Sequence, residues 1–84
     1  MTFLAVINVM PHKEILDPQG KAVTGSMKNL GLSEITNVRI GKRITLEVEA
    51  ENEDVARQKV DEACKQLLAN VIMETYEFDI KPLS

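Results

Sequence analysis

Eighty-four residues, 44% of them hydrophobic and 27% charged, fit one globular domain spanning 1–84 rather than a disordered chain. A chain this short buries only about 60–65% of the surface its unfolded form exposes, so its own core is thin. Ten basic against thirteen acidic residues give a formal net charge of −3, which argues against nucleic acid or an anionic membrane surface as partner.

The single cysteine, Cys64, excludes an internal disulfide and fits a cytoplasmic protein. The run Phe3-Leu4-Ala5-Val6-Ile7 has no basic residue before it and stops at Asn8, too short for a signal core or a bilayer span. Residues 2–10, TFLAVINVM, predict a strand with Phe3, Ala5, Ile7 and Val9 on one face and Leu4, Val6 and Asn8 on the other. Both faces are mostly apolar, which predicts cover on both sides.

A helix is expected from Pro18 to about Leu30. Asp17 is a good N-cap, and Pro18 suits the first helical position because its missing N–H would be unpaired there. Ala22, Val23, Met27 and Leu30 recur at one-turn spacings, Gly31 supplies a left-handed stop, and Leu32 follows it. Capping leaves Gln19 and Gly20 unexplained. Glycine inside a first turn costs about 1 kcal/mol relative to alanine, so either something approaches the backbone there or the glycine is merely tolerated.

Ser33 to Glu51 reads as two strands joined at Gly41. Val38 and Ile40 share a face of the first, and Ile44, Leu46 and Val48 a face of the second. Only an odd loop or a bulge near Gly41 aligns the two sets. A second helix starts at the cap Asn52, with Glu53 and Asp54 where the dipole favours negative charge. Its core stripe is Ala56, Val60, Ala63, Cys64, Leu67 and Val71, and Glu53–Arg57 and Asp61–Lys65 form i, i+4 pairs outside. A last strand, 73–80, alternates Tyr76, Phe78 and Ile80 with Thr75, Glu77 and Asp79.

The order β-α-β-β-α-β predicts an α+β two-layer sandwich, a four-stranded antiparallel sheet with both helices on one face, of ferredoxin-like type. Two helices cover one face of such a sheet. The open face is therefore expected to meet another copy or another subunit.

Chemistry is sparse in the sequence. His12 sits in the first loop with no second member of a dyad nearby, and Cys64 lies on the apolar stripe as a small buried thiol. Glu47, Glu49 and Glu51 alternate outward and Glu53 and Asp54 occupy a helix start, so the acidic run reads as a solvated face rather than a magnesium site. Gly41-Lys42 fails as a phosphate loop, because Thr36 and Arg43 stand where Gly and Ser or Thr are needed. The loop Met10-Pro11-His12-Lys13-Glu14 has no arginine for an acyl phosphate, and the inner strands offer only Phe3 for base stacking. No catalytic set and no metal site emerges.

Three segments, ILDPQGKAV at 15–23, NVRIGKRITLEVE at 37–49 and CKQLLANVIMETYEFDI at 64–80, together resemble the small subunit (PurS) family of bacterial phosphoribosylformylglycinamidine synthase. The resemblance runs from the first strand to the last. It implies a subunit of a glutamine-dependent, ATP-using ligase of purine synthesis, with no active site and no cofactor of its own. ATP and magnesium would be used by the synthetase partner. It implies a homodimer, or a dimer of dimers, in the cytoplasm that bridges synthetase and glutaminase and assists ammonia transfer. The partner-contact candidates are then Asp17, Pro18, Gln19 and Gly20, with Arg39, Gly41 and Lys42, and with Leu68 and Asn70, Leu67 being assigned to the core. The N–H groups of the first helical turn would also suit an anion. A rival reading is a dimeric sensor domain of the same element order that binds a small molecule between its protomers.

Overall fold

The computed structural model describes residues 1–13 and 17–83. Glu14 of the first loop, and Ile15 and Leu16 of the segment 15–23, lie outside them. Strand β1 (Thr2–Pro11) is followed by helix α1 (Pro18–Asn29), strand β2 (Lys42–Glu49), helix α2 (Glu53–Ala63) with a π-helical turn (Cys64–Leu68), and strand β3 (Glu74–Pro82). The sheet is antiparallel with the order β2-β1-β3.

The alternation in β1 holds. Phe3, Ala5, Ile7 and Val9 are buried, and the register sets Ile7 between Ile44 and Phe78 and Ala5 between Leu46 and Ile80. Helix α2 crosses this face and closes the core with Ala56, Val60 and Cys64. Its cap is the expected one, Asn52 Oδ1 accepting from Val55 N–H at 2.9 Å. Glu53–Arg57 and Asp61–Lys65 pair along its outside. On the opposite sheet face the apolar Leu4 and Val6 lie along the middle, flanked in register by Glu47 and Thr45 on one side and Lys81 and Asp79 on the other.

Among the described residues the expected fourth strand is absent. Residues 32–41 form neither helix nor strand, so the sheet has three strands, there is no hairpin at Gly41, and β2 is an edge. The backbone there has other partners: Val38 N–H donates to Thr24 Oγ1 at 3.1 Å and Ile40 N–H to Asp17 Oδ2 at 2.9 Å. Asn37 just before them has φ +56°, outside the strand region. Amides bound to a helix cannot also serve a β ladder.

Nor do two helices cover one face. Helix α2 alone packs on the sheet, and α1 stands off it with the 37–40 segment alongside. The radius of gyration is 16.5 Å, against about 12 Å for a compact chain of this length, and the extents are 52 × 28 × 14 Å. Helix α1 ends as expected, with Gly31 at φ +78° and Leu32 N–H donating back to Met27 O at 2.8 Å.

The end of the second helix differs from a uniform 3.6-residue stripe. Between Cys64 and Leu68 the backbone widens to a π turn, with Ala69 N–H donating to Cys64 O at 2.9 Å. That extra rotation carries Leu67 out to 83% exposure, leaves Leu68 half-buried, and puts Val71 outside the helix. The expected roles of Leu67 and Leu68 are reversed.

Candidate partner-contact site

Aspartate 17 organises the start of α1. One carboxylate oxygen accepts from Gly20 N–H at 3.0 Å, the N-cap bond, and the other from Ile40 N–H at 2.9 Å. These two amides, more than the nearby Arg39 guanidinium, hold its carboxyl below the ordinary value of 3.8. The helix-start amides expected to suit an anion are thus occupied by the chain's own carboxylate.

Gly20 is buried beneath this arrangement. A Cβ at position 20 would overlap the Val38 carbonyl oxygen, so the backbone that approaches it belongs to the same chain. The steric demand inferred from the sequence is real, and its source is intramolecular.

The tether has a pH signature. A carboxylate whose folded pKa lies below its unfolded one contributes stability above the unfolded value and loses it as pH falls through the folded one. Acidification below pH 3.8 is therefore expected to loosen the 38–40 segment. Asp17→Asn keeps a capping oxygen but presents N–H₂ to the Ile40 amide. Protection of the Ile40 amide, relative to its intrinsic exchange rate at each pH, should fall at neutral pH and lose its acid dependence, and unchanged protection in that variant would remove Asp17 from this role.

Around Asp17 the three sequence segments meet. A cleft of about 400 Å³ is lined by Asp17, Pro18 and Gln19 from the start of α1, Ile40, Gly41 and Lys42 leading into β2, Asn70, Met73 and Glu74 before and at the start of β3, and Pro11. Its surface is mostly apolar. Lys42 Nζ lies 3.9 Å from Glu74 Oε2 and 3.5 Å from Leu68 O, while Glu74 Oε1 accepts from Asn70 N–H at 2.8 Å. Lys42 and Glu74 engage each other and Asp17 is bound to backbone amides, which makes the cleft a shaped contact surface.

Of the nine expected residues, six line this cleft. Gly20 lies beneath, and Leu68 contributes only its carbonyl. Arg39 lines a separate groove and donates to Pro11 O. Glu74 was not among the expected residues, yet its parity with Tyr76, Phe78 and Ile80 carried the signal: a carboxylate in phase with the buried face at the strand's first position. Among the described residues no three His, Cys, Asp or Glu side chains converge to hold a metal. No helix among them is long and apolar enough to cross a membrane.

The family model for PurS, described as phosphoribosylformylglycinamidine (FGAM) synthase, matches residues 4–82. The PurS subunit of that synthase from Synechocystis is 44% identical over 77 residues, covering 92% of this chain and 77% of that protein. The Bacillus subtilis PurS structure superposes with a TM-score of 0.85 at 32% identity, covering 95% of this chain and 99% of the other. A chain of the Thermotoga maritima PurLQS structure gives 0.86 at 33% identity, covering 96% and 99%. With the match running from β1 through β3, this chain belongs to the PurS family of phosphoribosylformylglycinamidine synthase subunits.

Proposed function

We propose that this chain is the bridging subunit that joins the glutaminase and synthetase of a phosphoribosylformylglycinamidine synthase and assists the passage of ammonia between them. The observation that carries this is the cleft: segments around residues 17, 41 and 70 converge on one mostly apolar surface whose charged groups already have partners within the chain. The likeness to a chain of the PurLQS structure supports it, as does that to the Methanocaldococcus jannaschii PurS structure, described as one subunit of an amidotransferase of the purine pathway.

In this reading ATP and magnesium bind the synthetase partner, and the assembly works in the cytoplasm. The chain acts as a homodimer. The elongated shape and the uncovered face along Leu4 and Val6 support a second copy completing the fold. A monomer by sedimentation equilibrium would remove that clause.

Reconstitution tests the bridge. Synthetase and glutaminase subunits are mixed with ATP, magnesium and formylglycinamide ribonucleotide, with and without this chain, on glutamine or on ammonium. Omission is expected to reduce glutamine-driven turnover to near background and to spare the ammonium-driven reaction. If neither reaction responds, the bridging role is wrong.

A further inference from the structure

A second groove, of about 680 Å³, runs beside α1. Lys13, Lys21, Lys28 and Arg39 line it, four of the ten basic residues of a chain whose net charge is −3. Asp17 is the one acidic lining residue among those described, and both of its oxygens are bound to backbone amides. Helix-dipole compensation accounts for Lys28, in the last turn, and for none of the other three.

The groove has the length of a polypeptide contact. Lys21 and Lys28 are two turns apart, about 10 Å along α1, and between them the lining residues are Thr24 and Gly25. Gly25 is a mid-helix glycine that no internal contact demands, since a Cβ there would meet nothing within 4 Å. It costs the helix about 1 kcal/mol relative to alanine and leaves the groove free of a side chain. A compact phosphate finds less here: the Thr24 hydroxyl already donates to Gly20 O at 2.8 Å, and the Asp17 carboxylate faces the same space.

We infer that this groove is a docking site for an acidic polypeptide segment of one of the synthase subunits, read by the Lys13, Lys21, Lys28 and Arg39 row with Gly25 admitting close approach. The inference rests on the bridging reading and adds to it the chemistry of one contact. Charge rows of this kind steer association and weaken steeply as salt screens them.

The test measures binding of the whole chain to purified synthetase and to purified glutaminase over a range of salt. Lys21→Glu/Lys28→Glu, Lys21→Arg/Lys28→Arg and Gly25→Gln are compared with wild type, each first shown to remain folded. The charge reversal is expected to weaken binding to one subunit by about tenfold or more and to flatten its salt dependence. The arginine pair should bind nearly as wild type, and Gly25→Gln should weaken binding without altering the salt slope.

If wild type binds neither subunit, the bridging reading itself fails. If wild type binds but the reversed variant binds equally well, only the groove assignment fails. Binding of inorganic phosphate or ATP that the reversal abolishes, with subunit binding intact, would give the groove to a small anion and overturn the proposal.

Discussion

Ile7→Ala is expected to destabilise the isolated chain by about 2–5 kcal/mol in urea unfolding. Ile7 is fully buried in the central strand, paired across to Ile44 on one side and Phe78 on the other, and lies on the face that α2 covers. Its removal opens a void that three elements border, and none of them can close it without moving the other two. A domain of this size has stability on the order of 5–10 kcal/mol, so the variant should sit near its unfolding threshold. A loss below about 1 kcal/mol would mean that β1 is not the centre of the core.

Gly20→Leu should act locally and strongly. The new Cβ meets the Val38 carbonyl, a backbone atom that cannot rotate away, and overpacking of this kind costs about 1–3 kcal/mol. Helix α1 does not pack on the sheet, so the damage should stay with α1 and the segment beside it. Amides of Val38 and Ile40 are expected to exchange faster while those of Ala5 and Ile7 keep their protection. Binding to the synthase subunits should fall as well, because Asp17, Pro18 and Gln19 shift with the helix start. Unchanged protection at Val38 and Ile40 would return Gly20 to the role of a surface glycine serving a partner directly.

Local rules wrote most of the regular structure into the sequence. The 2-residue alternation of β1, the Asn52 cap with the stripe as far as Cys64, the Asp17-Pro18 helix start and the Gly31 stop depend on neighbours within a few positions, and each stands as read. Val38 and Ile40 alternate as a strand does, but alternation cannot reveal that Thr24 and Asp17 have claimed their amides. The Leu67–Leu68 exchange has the same origin: a periodic stripe assumes a uniform helix, and the π turn at Cys64 breaks the period. At the cleft, motif residues named the neighbourhood, since Asp17, Lys42 and Asn70 do meet there. Which of them touch each other depended on tertiary placement, as the Lys42–Glu74 pair shows.

The register of β1 carries a consequence for biosynthesis. Its partners on one side lie far along the chain: Phe3 pairs with Pro82 and Pro11 with Glu74, about sixty to eighty residues downstream. Strand β1, translated before either partner, thus gains its second neighbour only when β3 is made. Until translation has reached β3, a ribosome-bound chain presents Phe3, Ala5, Ile7 and Val9 with one flank unpaired. Long-range closure of this kind slows folding and leaves apolar strand edges open to other nascent chains.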